Sequence, residues 1–272
     1  MSVLYDKKDK NAYIVPDITV SIVSHNSKDD LTALMPTLAN CLKRLNAEIL
    51  IVDNRSEDGS VEFLKKAYPQ AVVTVNKVRK GYGANHNINL EKARGRYIIF
   101  MNADIVLSDQ TILQLKDFMD HDHSIGICCP NVLNEDGSLQ FLNKRYPTIL
   151  DLFVRRFQFL FSKRFIQNRS RYYEMRDTGY EKSTDIPFIS GCFMFCRTRI
   201  IRSVKGFDER FFLYFEDVDL CRKVQKNART VSCPDAKVIH RWERSAHKNV
   251  KWFLVFLESA VRYFNKWGYI FK

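Results

Sequence analysis

The sequence predicts an α/β fold in which a mostly parallel sheet is flanked by helices. Three observations favour this class: strand and helix patterns alternate in the first half, these units repeat at similar lengths, and polar clusters follow strands that read as buried. Such strands are typical of parallel sheets that are buried on both faces. With 272 residues, 46% of them hydrophobic, the chain can bury a sizeable core, and we expect one domain over residues 1–272.

The spacing of hydrophobic residues places the individual elements. Strands are predicted at 18–23, 48–53, 71–75, 96–104, 192–196 and 230–240. Helices are predicted at 31–45, 60–68 and 83–95, from Val218 onward and from Val250 onward. In the last of these, Phe253, Leu254, Leu257, Val261 and Phe264 recur at helical spacing among cations and tryptophans, which predicts an amphipathic helix over 250–272.

Polar clusters follow all four strands of the first half, at 24–27, 53–60, 76–85 and 102–104. In parallel sheets the ligand lies beyond the carboxyl ends of the strands, so these clusters should meet at one rim. Asn, Asp, Ser and Gly are also ordinary turn residues, and turn formation would explain any single cluster. Four in succession favour a shared binding site.

The net charge of +12 indicates anionic partners, and nucleic acid, acidic membranes and phosphorylated small molecules all qualify. Residues 141–176 carry nine Lys or Arg against only Asp151 and Glu174, with five phenylalanines between 153 and 165. This basic aromatic insert and the C-terminal helix favour peripheral contact with an anionic membrane. Alternatively, the phenylalanines are core residues and the cations form a solvated face.

No stretch approaches the roughly 18 to 20 apolar residues of a membrane-spanning helix, and the N-terminus has no apolar signal core. We therefore expect a cytoplasmic protein. The seven cysteines contain no C-x-x-C pair, which predicts reduced thiols in the core.

Three acids follow a run of four aromatic residues and one leucine at 211–215, namely Glu216, Asp217 and Asp219. Poor hydration against an aromatic wall raises the pKa of a carboxyl group, as do acidic neighbours, and a raised pKa improves a general base. The alternative is structural, because a helix begins here and acids are favoured in a first turn.

The chain resembles the family 2 glycosyltransferases, specifically the rhamnosyltransferase-like members that build bacterial surface polysaccharides. The resemblance rests on six segments in this order: TVSIVSHNS, ILIVDNRSEDGS, KGYGANHNINL, YIIFMNADIVL, GCFMFCRTRIIRSVKGFDERFFLYFEDVDLCRKV and VIHRWERSAHK. It implies a GT-A fold, which is Rossmann-like, with a nucleotide-sugar donor, a divalent Mg²⁺ or Mn²⁺ ion and inversion at the anomeric carbon.

The resemblance also implies which residues contact the donor. The first loop contributes Ser24, His25 and Asn26, and the loop that grips base and ribose contributes Asp53, Asn54 and Ser56. The glycine-rich approach to the donor contributes Gly81, Gly83, Asn85 and Asn87. Asp53 could instead cap a turn. Asn102 stands where the family's D-x-D pattern has its first acid, so one anionic ligand is missing.

The same resemblance assigns Asp217 as the general base, with Glu216 as its electrostatic neighbour. Asp104 is the expected metal ligand, since Mg²⁺ and Mn²⁺ favour carboxylate oxygen. His240 matches a histidine that closes the metal or diphosphate site, although it could be an ordinary hydrogen-bonded residue. Asp219 either begins the helix or holds a basic partner.

The function implied is transfer of L-rhamnose from dTDP-L-rhamnose to a lipid-diphosphate-linked glycan in O-antigen synthesis, at the inner face of the bacterial cell membrane. UDP-galactose or UDP-glucose is the alternative donor. Residues 18–130 are expected to bind the donor, 131–249 to face the acceptor and 250–272 to form the amphipathic helix. Rivals from other classes are a silent nucleotide-sugar-binding protein and a nucleic-acid-binding protein. We expect no nucleic acid partner, because one would leave the acidic and Asn-rich loops unexplained.

Overall fold

The computed structural model describes residues 15–178, 180–241 and 250–269. The segment 242–248 of the last resemblance motif and the extreme termini lie outside the described residues. The first half forms β1 (Ile18–Ser24), α1 (Lys28–Leu42), β2 (Ala47–Asp53), α2 (Ser60–Ala67), β3 (Val72–Val75), α3 (Tyr82–Lys92) and β4 (Tyr97–Asn102). Every predicted element of this half is confirmed, with small shifts at its ends.

The second half begins with β5 (Ile105–Leu107), α4 (Thr111–His121), β6 (Ile125–Leu133), β7 (Leu139–Gln140) and β8 (Asn143–Lys144). The basic aromatic insert folds as α5 (Ile149–Arg156), a 3₁₀ turn (Gln158–Leu160) and α6 (Lys163–Tyr173). The chain continues with β9 (Phe188–Ile189), β10 (Phe193–Arg197), α7 (Thr198–Ser203), α8 (Glu216–Val224), β11 (Arg229–His240) and α9 (Val250–Trp267). The sequence predicted β10, α8, β11 and α9 here, but not α4 or β6.

The main sheet has the strand order β3-β2-β1-β4-β10-β6-β11-β5, with β7 beside β6. Strands β1 to β4 are mutually parallel, and β6 is parallel to β11. Between these two parallel groups β10 runs antiparallel to both of its neighbours. The predicted fold class, a mostly parallel sheet flanked by helices, is confirmed.

Alternate residues of β4 enter different cores, which shows that the sheet is covered on both faces. Ile99 and Met101 pack with the leucine stripe of α1, whereas Ile98 and Phe100 pack with residues of α3, α7 and α8. Each fully buried side chain of this size contributes roughly 1.5 to 3 kcal/mol. These two cores fix the strand ends, and with them the loops that follow.

Helix α9 packs differently from the prediction of a single apolar stripe. Tyr263 and Phe264 are buried against Phe215 and Val218 in a third core. The rest of the predicted stripe, Phe253, Leu254, Leu257 and Val261, stays exposed. The helix therefore has a packed apolar face and a separate exposed one, because only the 263–264 side meets the aromatic segment ahead of α8.

All seven cysteines are buried free thiols, as predicted. In the described ranges, no helix has the length and apolar content needed to cross a bilayer.

Candidate active site

The strand ends of the parallel half meet at one rim, as the sequence predicts. Ser24, the last residue of β1, lies opposite Asp53, the last residue of β2. Asp53 lies opposite Val75 of β3, and Asn102 of β4 lies opposite Val23. The loops that carry the predicted donor-binding residues therefore begin side by side.

Hydrogen bonds between the first two loops hold them together. The Asn26 backbone N–H donates to Ser56 Oγ at 2.9 Å, and Asn26 Oδ1 accepts from the Glu57 N–H at 2.8 Å. His25 Nδ1 lies 3.0 Å from the Asn54 carbonyl oxygen. The side chains of His25, Asn26 and Ser56 therefore hold the two loops in position. This structural role does not require them to contact a sugar donor.

An amide network joins the second loop to the 76–85 loop. Asn54 Nδ2 donates to the Lys80 carbonyl oxygen, and Asn54 Oδ1 accepts from the Lys80 N–H, both at 2.9 Å. Asn76 Nδ2 donates to Asn54 Oδ1 at 3.1 Å and to Asn85 Oδ1 at 2.6 Å. Asn54 and Asn85 were predicted to contact the donor. Their side chains instead form hydrogen bonds that join the second loop to the 76–85 loop.

Close packing within the chain, and not close approach of a donor, accounts for glycine at positions 81 and 83. A Cβ atom at Gly81 would lie 2.6 Å from the Phe212 carbonyl oxygen, and one at Gly83 would lie 2.6 Å from the Cβ of Phe207. Asn87, also predicted to face the donor, instead donates to the Phe207 carbonyl oxygen at 3.0 Å. Together they seat the start of α3 against the 207–212 segment.

Two buried polar atoms at the rim form no hydrogen bond with another described residue. Ser24 and Asp53 are completely buried, and neither Ser24 Oγ nor Asp53 Oδ2 has a hydrogen-bond partner among the described residues. The other oxygen, Asp53 Oδ1, accepts from the Ser56 N–H at 2.9 Å. Buried acceptors without a partner are costly, so these atoms are suited to receive donors from a ligand.

The predicted metal ligands Asp104 and His240 lie side by side. His240 Nε2 is 3.3 Å from Asp104 Oδ2, and Asp104 Oδ1 is buried with no described hydrogen-bond partner. Gln140 fixes the imidazole, with Oε1 3.0 Å from His240 Nδ1 and Nε2 donating to the His240 carbonyl oxygen at 2.8 Å. A proton on Nδ1, donated to Gln140, places the imidazole lone pair on Nε2, the atom that faces Asp104.

Carboxylate and imidazole together fit a divalent ion that takes its other ligands from a diphosphate. Within the described chain, no group of three or more His, Cys, Asp or Glu side chains could hold a metal unaided. The pair would therefore bind metal together with the donor.

A strained turn presents the acidic pair. Tyr214 and Phe215 both have positive φ, at 69° and 67°, in a region that side chains other than glycine rarely adopt. The Phe215 ring packs against Phe256 and Tyr263 of α9, with ring centroids 5.4 and 5.3 Å apart. This packing stabilises the turn and leaves Glu216 only 5% exposed.

The surroundings of the two carboxyl groups differ. Asp217 accepts from the Gly191 N–H at 3.0 Å and from its neighbour Val218 N–H at 2.9 Å. Burial raises the pKa of Asp217, and these bonds and the Lys144 charge counteract the rise. Burial and the charge of Asp217 raise the pKa of Glu216 well above its ordinary value. The two backbone N–H donors stabilise the ionised form of Asp217, whereas Glu216 Oε2 has no described hydrogen-bond partner, so Asp217 is the better candidate for the carboxylate that accepts a proton.

Tyr82 and Lys144 also belong to this site, and the sequence did not single them out. Tyr82 donates its hydroxyl proton to the Gly191 carbonyl oxygen at 2.6 Å. Burial raises its pKa, as do the charges of Glu216, Asp217 and Asp104, which places it among all three acids. The sequence could have pointed to Tyr82, because it lies between Gly81 and Gly83 of the predicted donor loop. Nothing in the sequence around Lys144 pointed to the site.

Asp219 is a structural residue that holds α9 to α8. It is fully buried, and its Oδ1 accepts from Trp267 Nε1 and lies close to Lys266 Nζ, both at 2.7 Å. Lys223 Nζ lies 3.8 Å from the other oxygen. Both roles considered for Asp219 are observed, because it lies in the first turn of α8 and also holds basic partners.

We expect Asp219→Asn to lower the free energy of unfolding by about 2 kcal/mol, because Lys223 loses its carboxylate partner and Lys266 keeps only Asp208. Urea titration followed by circular dichroism measures this. Glu258→Gln, which breaks an exposed ion pair with Arg262 on α9, should change stability by about 0.5 kcal/mol or less. Equal stability of Asp219→Asn and the unaltered protein would contradict the assigned role.

The mostly parallel sheet, with helices on both faces, is an α/β arrangement of the GT-A type. A family model described as Glycosyl transferase family 2 matches residues 19–204. The chain belongs to that family.

Two relatives carry the name of rhamnosyltransferase. WbbL of Escherichia coli K12 is 27% identical over 223 residues, which are 76% of this chain and 76% of WbbL. The N-acetylglucosaminyl-diphospho-decaprenol L-rhamnosyltransferase of Mycobacterium tuberculosis is 24% identical over 245 residues, 85% of this chain and 78% of that protein.

Among solved structures, GalNAc-T7 with UDP, GalNAc and Mn²⁺ superposes with a TM-score of 0.64 at 17% identity. The match covers 93% of this chain but only 48% of that longer one. At this identity the likeness supports the fold.

Proposed function

We propose that this protein is an inverting glycosyltransferase whose donor binds at the rim and whose acceptor is activated by Asp217. One observation carries the proposal: the parallel strands end at buried oxygens without described partners, on Ser24, Asp53 and Asp104. The Tyr82 hydroxyl and the Asp217 carboxylate both form hydrogen bonds with Gly191, and the charge of Asp104 contributes to the raised pKa of Tyr82, which links this rim to the acidic pair. The arrangement supports a donor and an acceptor meeting between the two.

The reaction transfers one sugar between two oxygens. The acceptor hydroxyl oxygen forms the new bond to the anomeric carbon, the bond from that carbon to the donor diphosphate breaks, and the nucleoside diphosphate leaves. Asp217 takes the hydroxyl proton, and the N–H groups of Gly191 and Val218 hold its carboxylate in place. Burial and the neighbouring Asp217 charge favour the protonated form of Glu216, and in that form it would add no second negative charge beside the acceptor oxygen.

Donor binding is assigned to residues of three loops. Asp53 Oδ2 is assigned to accept from a base N–H or a ribose hydroxyl, and Ser24, its neighbour in the strand register, is assigned to the same part of the donor. Asn102 remains a candidate contact at the end of β4. The loops themselves are held by His25, Asn26, Asn54, Ser56 and Asn85.

Asp104 and His240 would hold a divalent Mg²⁺ or Mn²⁺ ion. When bound, such an ion neutralises charge that develops on the leaving diphosphate. The geometry that supports this assignment is the 3.3 Å approach of the two side chains and the orientation of His240 by Gln140.

The two rhamnosyltransferase relatives favour dTDP-L-rhamnose as the donor, and the name of the mycobacterial one favours an acceptor sugar on a lipid diphosphate. The UDP in the structural neighbour keeps a UDP-hexose as the alternative. We assign residues 18–130 to donor binding and 131–249 to the acceptor side. The enzyme would act in polysaccharide or O-antigen synthesis at the inner face of the bacterial cell membrane.

A thermal-shift screen across nucleotide-sugars, with and without Mn²⁺, tests this proposal. We expect dTDP-L-rhamnose to raise the melting temperature more than UDP-glucose or UDP-galactose, and to do so only with metal, because ligand binding stabilises the folded state. A larger shift with a UDP-hexose would select the alternative donor. No shift with any nucleotide-sugar would overturn the function.

A further inference from the structure

Five phenylalanine rings lie in contact at the surface between α5 and α6. Phe153 is 4.7 Å from Phe157 and 6.1 Å from Phe161, measured between ring centroids. Phe159 is 6.2 Å from Phe157, and Phe165 is 5.3 Å from Phe161. Phe159 is 81% exposed and the following Leu160 is 59% exposed. The phenylalanines of the basic insert are therefore not core residues, and monomeric proteins seldom expose so large an apolar cluster without a binding role.

The exposed face of α9 continues this cluster. Val250, Leu254, Leu257 and Val261 follow one another at helical spacing, and all four are exposed. The Arg156 guanidinium lies over Phe253 of α9 at 5.0 Å and over Phe157 of the cluster at 5.7 Å. We call the five rings, Leu160 and this face of α9 the docking surface.

Unpaired cations surround the docking surface. Arg155, Arg156, Lys163 and Arg164 are exposed, and none forms an ion pair with a carboxylate in the described part of the chain. The two acids of the segment are already neutralised, Asp151 by Arg169 and Glu174 by Arg176. The surface thus combines an apolar centre with a positive rim.

This combination matches a bilayer with anionic headgroups and an apolar interior. A second copy of the chain would present the same positive rim, so two copies would repel each other. Single-stranded nucleic acid would find aromatic rings to stack on, but it would leave Leu160 and the aliphatic stripe of α9 without a partner.

We propose that the docking surface inserts into the headgroup region of an anionic membrane, with Phe159 and Leu160 at its deepest point. The packed face of α9 supports Phe215, which precedes Glu216 and Asp217. Docking therefore holds the acidic pair at a fixed distance from the membrane. The identity of the acceptor rests on the proposed function, whereas the docking itself does not.

Flotation of the full chain with vesicles tests the proposal. We expect binding to phosphatidylglycerol-rich vesicles, weak binding to pure phosphatidylcholine, and release at high salt. Phe159→Ser with Leu160→Ser should lower partitioning about tenfold or more, and Lys163→Gln with Arg164→Gln by a similar factor. The matched controls Val72→Ser and Lys65→Gln with Lys66→Gln alter exposed residues on β3 and α2 and should bind as the unaltered protein does.

Binding of dTDP, followed by calorimetry on the same variants, separates this proposal from the catalytic one. Intact dTDP binding with lost flotation supports the docking surface. Flotation of the Phe159 and Leu160 variant at the unaltered level would overturn it, as would a dimer that those substitutions dissociate without any vesicle binding. Failure of dTDP binding in the unaltered protein would count against the proposed donor and leave flotation to decide the docking surface.

Discussion

Asp217→Asn is expected to lower the rate of sugar transfer by about a thousandfold, since an amide cannot take the acceptor proton. Nucleotide binding should persist, because the proposed function assigns Asp217 to the acceptor and not to the donor nucleotide. Transfer of labelled sugar and calorimetric titration with dTDP measure the two properties. Near-normal turnover by this variant would remove Asp217 from the mechanism.

Glu216→Gln is the matched control for this substitution. The environment of Glu216 favours its protonated form, and glutamine resembles a protonated glutamate, so the expected loss of rate is about tenfold or less. Glu209→Gln alters an exposed acid of the preceding loop and should leave the rate unchanged. If Glu216→Gln lost more activity than Asp217→Asn, the roles of the two acids would have to be exchanged.

The pH profile provides a second measurement on Asp217. Its pKa in the folded protein is raised, so the ionised fraction, and with it kcat/KM, falls as the pH drops through that raised value. The acid limb should therefore lie at higher pH than for an ordinary aspartate. Because the Lys144 charge lowers the pKa of Asp217, Lys144→Met should move the limb to still higher pH.

Asp104→Ala is expected to weaken donor binding by about a hundredfold in the presence of Mn²⁺ and to have little effect in EDTA. The reason is that, under the proposed function, Asp104 and His240 would hold a divalent ion that neutralises charge on the donor diphosphate. Calorimetric titration of nucleotide-sugar under both conditions measures the difference.

Asp235→Ala removes an exposed carboxylate of β11 and serves as the control for general charge effects. Unchanged donor affinity of Asp104→Ala in Mn²⁺ would contradict the metal assignment. Loss of affinity in EDTA as well would indicate a direct contact of Asp104 with the donor.

Local patterns in the sequence determined the elements and the position of the rim. Hydrophobic spacing is a property of neighbouring residues, so it predicted β1 to β4 and the helices between them. The strand ends then placed Ser24, Asp53 and Asn102 side by side, as the register confirms. The acids behind the aromatic run were equally visible, but only Phe211 and Phe215 of that run are buried, whereas Phe212 is exposed.

Tertiary structure decided what each polar side chain at the rim does. The side-chain amides of Asn54 and Asn85 form hydrogen bonds with Lys80 and Asn76, whereas Asp53 has one buried oxygen without a described partner. Gln140 orients His240 across 100 residues of sequence, and Lys144 comes close enough to affect Asp217. Hydrogen bonds and charge interactions depend on atoms brought together from distant parts of the chain, and no local pattern contains that information. For the same reason, the sequence did not distinguish the two faces of α9. One face packs against Phe215, and the other is exposed and forms part of the docking surface.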